Sequence, residues 1–79
     1  MARFTVLGRM PNCEPMAVGN KIRGLAWLQE THGRGRWRKC KGRATIQMTK
    51  TGEIRHVELH WYEAHGIGRR EVKIKRDLA

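Results

Sequence analysis

Residues 53–62, EIRHVELHWY, constrain this chain more than any other stretch. Val57, Leu59 and Trp61 fall on one side of an extended strand, and His56, Glu58, His60 and Tyr62 fall on the other. The first row needs a core to bury it. The second lines up two imidazoles, a carboxylate and a phenol at every second position. The segment therefore belongs in a sheet, and the question is what covers each of its faces.

The flanking sequence supplies candidate neighbours. Residues 43–48 alternate, with Ala44, Ile46 and Met48 inward and Arg43, Thr45 and Gln47 outward. Thr49 to Gly52 has the composition of a hairpin turn. Residues 63–68, EAHGIG, break the pattern with two glycines, and residues 70–76 alternate again, with Val72 and Ile74 inward and Glu71, Lys73 and Lys75 outward. Residues 3–7 form a short edge strand with Phe4 and Val6 on one side, and the proline-bearing segment 9–15 reads as a loop. Val18, Ile22, Leu25, Ala26 and Gln29 follow helical spacing, so a helix over residues 18–31 is expected. Gly24 costs it about 1 kcal/mol relative to alanine, and His32 with Gly33 marks its end. The fold class that follows is α+β: one amphipathic helix packed on a three- to four-stranded antiparallel meander with one open basic face. Ile22, Leu25, Ala26, Leu28, Trp27 and Trp61 are expected in the core. A chain of 79 residues makes a single domain, residues 1–79.

Charge narrows the class of partner. Lys and Arg number 17 against 7 Asp and Glu, a formal net charge of +10. So dense a positive field on a small domain favours a phosphate backbone as ligand, RNA ahead of DNA, with an acidic protein as the other candidate partner. No run of about 18 apolar residues is present and no membrane span is expected. Without an apolar leader segment, Cys13 and Cys40 are expected as reduced thiols in a cytoplasmic protein. The edges at residues 3–7 and 70–76 leave room for a homodimer.

The outward row suggests chemistry. Metal-free RNA cleavage needs a base for the 2′-hydroxyl, an acid for the leaving 5′-oxygen and cations for the phosphorane. His56, Glu58 and His60 are the candidate catalytic residues: Glu58 or His56 as base, His60 as acid, with Arg43 and Lys73 on the phosphate. The competing reading is an ordinary wetted sheet face, whose cross-strand charge pairs only stabilise the sheet. His56 and His60 lie roughly 13 Å apart on a strand and cannot share one ion. Cys13, Cys40, His32 and His65 lack zinc spacing, so neither metal nor cofactor is expected. Nucleic-acid contacts are expected from the basic segment 33–43, through Arg34, Arg36, Trp37, Arg38, Lys39, Lys41 and Arg43, and from Tyr62, Arg69, Arg70, Lys73 and Lys75. Trp37 reads equally as a base-stacking side chain and as a core anchor.

At residues 61–76, WYEAHGIGRREVKIKR, preceded by WRKCKGRATI at 37–46, the chain resembles a family of short uncharacterised basic bacterial proteins. The resemblance implies no activity. In layout alone, a helix followed by a basic-faced meander is similar to the barnase, colicin and RelE-like ribonucleases and toxins, which implies RNA cleavage without assigning residues. Three functions follow as expectations: a toxin-type metal-independent endoribonuclease, a non-catalytic nucleic-acid-binding module, or a protein that docks an acidic partner.

Overall fold

A computed structural model describes residues 3–78. Five strands form one antiparallel sheet: β1 (Phe4–Leu7), β2 (Glu14–Val18), β3 (Arg38–Met48), β4 (Ile54–Ala64) and β5 (Gly68–Asp77). A single 3₁₀ turn (Gly19–Lys21) and one helix, α1 (Leu25–His32), link β2 to β3. The spatial order is β1-β3-β4-β5. β4 occupies one edge of β3 along its whole length, so β1 and β2 share the other edge, β1 against residues 45–48 and β2 against residues 38–41.

The hairpins lie where the turn composition places them. Gly52 takes a positive φ in the β3–β4 turn, and its N–H donates to the Met48 carbonyl. In the β4–β5 turn the Ile67 N–H donates to the Ala64 carbonyl, and Gly66 and Gly68 supply the left-handed positions. No helix among the described residues is long and apolar enough to cross a membrane.

The inward rows of β3, β4 and β5 are as read from sequence, but two register shifts interrupt the outward row of β5 at Glu71 and Lys75. Cys40, Ile46, Val57, Leu59 and Trp61 are buried together, with Phe4, Val6, Met10, Cys13, Ala44, Met48, Val72 and Ile74 packed around them. What covers that face corrects the expected architecture. Phe4 and Val6 of the neighbouring edge strand, with Met10 and Cys13 of the loop after it, pack there in place of an amphipathic helix. Pro11 lies so close to Gly42 that a Cβ there would stand 2.7 Å from the Pro11 Cβ and 3.1 Å from Trp61. A disulfide joins Cys13 to Cys40, which overturns the expectation of two free thiols. Cys13 is brought over Cys40 because β2 pairs Pro15 with Cys40. Closing a loop of 27 residues adds about 3–4 kcal/mol in the chain-entropy account.

The helix is shorter than expected and sits on the other face. Gly24 adopts φ 80°, ψ 20°, and Ile22 is extended, so the pattern over residues 18–31 breaks in the middle. Val18 belongs to an edge strand opposite Arg38. Pro15, read as part of a loop, lies in that same strand, an edge position that needs no N–H. Leu28 is buried with Ile22, Trp37 and Ala64, against Ala17, Leu25, Tyr62 and Ile67. Tyr62 and Ala64 belong to the polar row of β4, so this second cluster caps one end of that row. Ala26 and Trp27, both expected inside, are exposed.

Gly42→Ala tests the cover. In an open strand alanine is favoured over glycine by about 0.5–1 kcal/mol. Against Pro11 and Trp61 the substitution is expected to destabilise by about 1–3 kcal/mol, read from urea midpoints. A stabilised variant would mean that Pro11 does not cover the sheet.

Candidate nucleic-acid interface

The register of β3, β4 and β5 assembles a polar array on the face opposite the main core. Lys41 stands opposite His60, and His60 opposite Lys73. In the next row Arg43 stands opposite Glu58, and Glu58 opposite Arg76. Lys39 and Arg70 flank Tyr62 in a third row, with the Lys39 ammonium 6.0 Å from the Tyr62 ring centre. Cross-strand partners lie about 5 Å apart and share a face. Six cations thus surround Glu58 and His60, and one of them, Lys41, also lies 3.9 Å from Glu14.

At the centre, His60 Nε2 lies 2.7 Å from Glu58 Oε2, and Arg76 donates to Glu58 Oε1 at 3.2 Å. His60 is only 6 % exposed. With Nε2–H donating to the carboxylate, Nδ1 is left as the nitrogen that can accept a proton. The hydrogen bond from His60 holds the Glu58 carboxyl below its ordinary range; burial opposes this, and Arg76 adds to the lowering. Glu58 is therefore an ionised group that orients His60, and a weak base in its own right.

The expected catalytic trio does not form one site. His56 Nδ1 pairs with Thr45 Oγ1 at 2.9 Å, one row beyond Glu58 and roughly 13 Å from His60 along the strand. Arg76 is the residue that sequence reading missed. A register shift between Glu58 and Leu59 puts Arg76 opposite Glu58 and leaves Lys75 as the extra residue of the bulge. A second shift, between His60 and Tyr62, includes Glu71, which carries φ 58°.

The remaining expected contacts divide. Arg36, Arg38 and Arg69 line a separate groove of about 660 Å³ beside the β4–β5 turn, with Glu63 and His65. There Arg38 Nη2 lies 2.6 Å from Glu63 and Arg69 Nε 4.0 Å, which reduces the local positive field. Partial burial would raise the Glu63 pKa, but the Trp61 indole N–H and Arg38 outweigh it and the net shift is downward. Arg34 is exposed in the loop before β3. Trp37 is 0 % exposed and donates its indole N–H to the Gly33 carbonyl, so it anchors the loop and offers no face to a base. Cys13, Cys40 and Glu63 bring ligand-type atoms within 4.8 Å of one another, but both sulfurs are committed to the disulfide.

No family model, curated protein or solved structure matches this chain.

Because Glu58 titrates lower in the folded chain, its stabilisation is present above the ordinary carboxylate range near pH 4.3 and is lost as pH falls through the lowered folded value. Urea midpoints at pH 5 and pH 3 are expected to differ less in Glu58→Gln than in the wild type. Glu63 contributes a loss in the same direction, so the difference shrinks without vanishing. An unchanged difference would show that the His60–Glu58–Arg76 contacts do not hold the carboxyl down.

Proposed function

We propose that the protein binds single-stranded RNA through the β3–β4–β5 face and cleaves it without a metal, with His60 moving the proton. The observation that carries this reading is the Lys41–His60–Lys73 row set beside Arg43–Glu58–Arg76. A phosphate on Lys41 and Lys73 would lie over an imidazole whose orientation is fixed by the Glu58 carboxylate.

The step is an in-line transesterification. His60 Nδ1 takes the 2′-hydroxyl proton as the 2′-oxygen attacks phosphorus. The bond to the 5′-oxygen breaks and that oxygen receives the proton from His60, leaving a 2′,3′-cyclic phosphate. Lys41 and Lys73 stabilise charge on the phosphorane, in the manner of any fixed cation at a developing oxyanion. Glu58 holds the tautomer and stabilises the imidazolium formed in transit.

A second reading is a non-catalytic binding module. It is favoured by the depth of His60 and by the engagement of Glu58 with Arg76. An acidic protein would meet the same six cations and so compete with RNA. The resemblance to a basic bacterial family is compatible with either reading and selects neither. The Cys13–Cys40 bond fits maturation in an oxidising compartment. A cytoplasmic location would supply the RNA substrate.

Total RNA in EDTA is expected to yield fragments ending in cyclic phosphate. His60→Asn, checked for folding by circular dichroism, should lose cleavage by about 100-fold or more while keeping RNA affinity. Lys41→Ala with Lys73→Ala should weaken binding and flatten its salt dependence. Binding with no cleavage by the wild type would leave the module reading; cleavage undiminished in His60→Asn would remove His60 from the reaction. Absence of binding would overturn the interface itself.

A further inference from the structure

A cleft of about 350 Å³ opens between α1 and the polar face, lined by Arg23, Trp27, Leu28, Tyr62, Glu71 and Lys73. It shares Tyr62 and Lys73 with the array described above. Its volume lies within the range of small-ligand sites. Trp27 is the unusual wall. It is 51 % exposed, whereas Trp37 and Trp61 are fully buried. The ring is nonetheless held in place: His32 packs edge-on against it with ring centres 5.8 Å apart.

His32 also contacts β5. Its Nε2 lies 2.9 Å from Glu71 Oε2. Glu71 is the one residue other than glycine with positive φ among the described residues, at φ 58°. Such a conformation costs on the order of 1 kcal/mol and persists where the surroundings impose it. Here the bulge in β5 and the contact with His32 aim a carboxylate into the cleft wall. One histidine thus positions both an exposed indole and an acceptor.

We propose that this cleft is a nucleobase subsite, taking the base next to the phosphate bound on Lys41 and Lys73. The proposal rests on the RNA-binding reading and adds to it that the ligand is recognised by a base as well as by its backbone. Trp27 stacks on the base, as aromatic side chains do in single-strand binders. Arg23 lies beside the same opening and supplies a second planar surface. Glu71 accepts a hydrogen bond from a base edge that carries N–H, such as the cytosine amino group or the guanine N1–N2 edge. Lys73 belongs to both sites and sets the spacing between phosphate and base.

The test compares two hexanucleotides with 2′-O-methyl ribose throughout, which cannot be cleaved. One carries cytosine and guanine bases; the other is abasic at every position. Wild-type protein is expected to bind the base-bearing strand roughly 5- to 100-fold more tightly, the range that base–aromatic stacking supplies. That strand alone should quench Trp27 fluorescence. Trp27→Ala should make the two affinities equal while leaving the abasic strand's affinity unchanged, since the exposed indole supports no core. Equal affinity in the wild type, or a preference that survives Trp27→Ala, overturns the subsite and leaves the phosphate-binding reading standing. If neither strand binds, the underlying reading fails and the subsite with it.

Discussion

The apolar row of β4 has to be covered, and the N-terminal segment covers it. β1 adds Phe4 and Val6 to the edge of the sheet, and the loop that follows lays Pro11 over Gly42 and Trp61. The Cys13–Cys40 bond then ties that loop to the central strand. Among the described residues no second layer of helices is available, and a covalent tie offsets a thin core. At the far end of the same face, Arg55 donates Nε–H to Asp77 at 2.7 Å and approaches the Met48 sulfur. Chain segments and this ion pair thus cover part of the core face, and a cavity of about 550 Å³ remains between Phe4, Met48, Arg55, Val72 and Ile74.

The helix takes no part in covering that face and lies on the other one. Trp37, Ile22, Leu28 and Ala64 fix α1 over the Tyr62 end of the polar row. The open face is therefore bounded at one end instead of running the length of the sheet. Lys41, His60 and Lys73 sit next to that boundary. The cleft between helix and sheet is a direct result, because the helix buries Leu28 but leaves Trp27 turned outward. The two bulges in β5 finish the arrangement. One brings Arg76 to Glu58, and the other turns Glu71 toward His32.

The sheet was legible in the sequence because alternation is a local signal. Val57, Leu59, Trp61, Ala44, Ile46, Val72 and Ile74 all face the side that their spacing indicates. The helix was misjudged because helical spacing at residues 18, 22, 25, 26 and 29 says nothing about Gly24, whose left-handed backbone splits the segment. β2 was missed because the prolines of segment 9–15 suggest a loop, and only pairing with Cys40 makes Pro15 part of an edge strand. The disulfide depends on that same pairing, a long-range fact with no local trace. In the candidate site, the approach of His60 to Glu58 follows from i, i+2 spacing. Arg76 does not, since a bulge shifts register by one residue and reverses the face of everything beyond it. Trp27, expected inside, lies outside, and Trp37 takes the anchoring one of its two readings, because the exposure of each depends on which face the helix covers.

The central claim is that the array around His60 is the surface that meets RNA. Amide and imidazole NMR shifts, followed while an uncleavable 2′-O-methyl trinucleotide is added at low salt, test it most directly. The account predicts that the largest changes fall on Lys41, Glu58, His60 and Lys73. Changes confined to the Arg36, Arg38 and Arg69 groove, or to the face under Pro11, would contradict it.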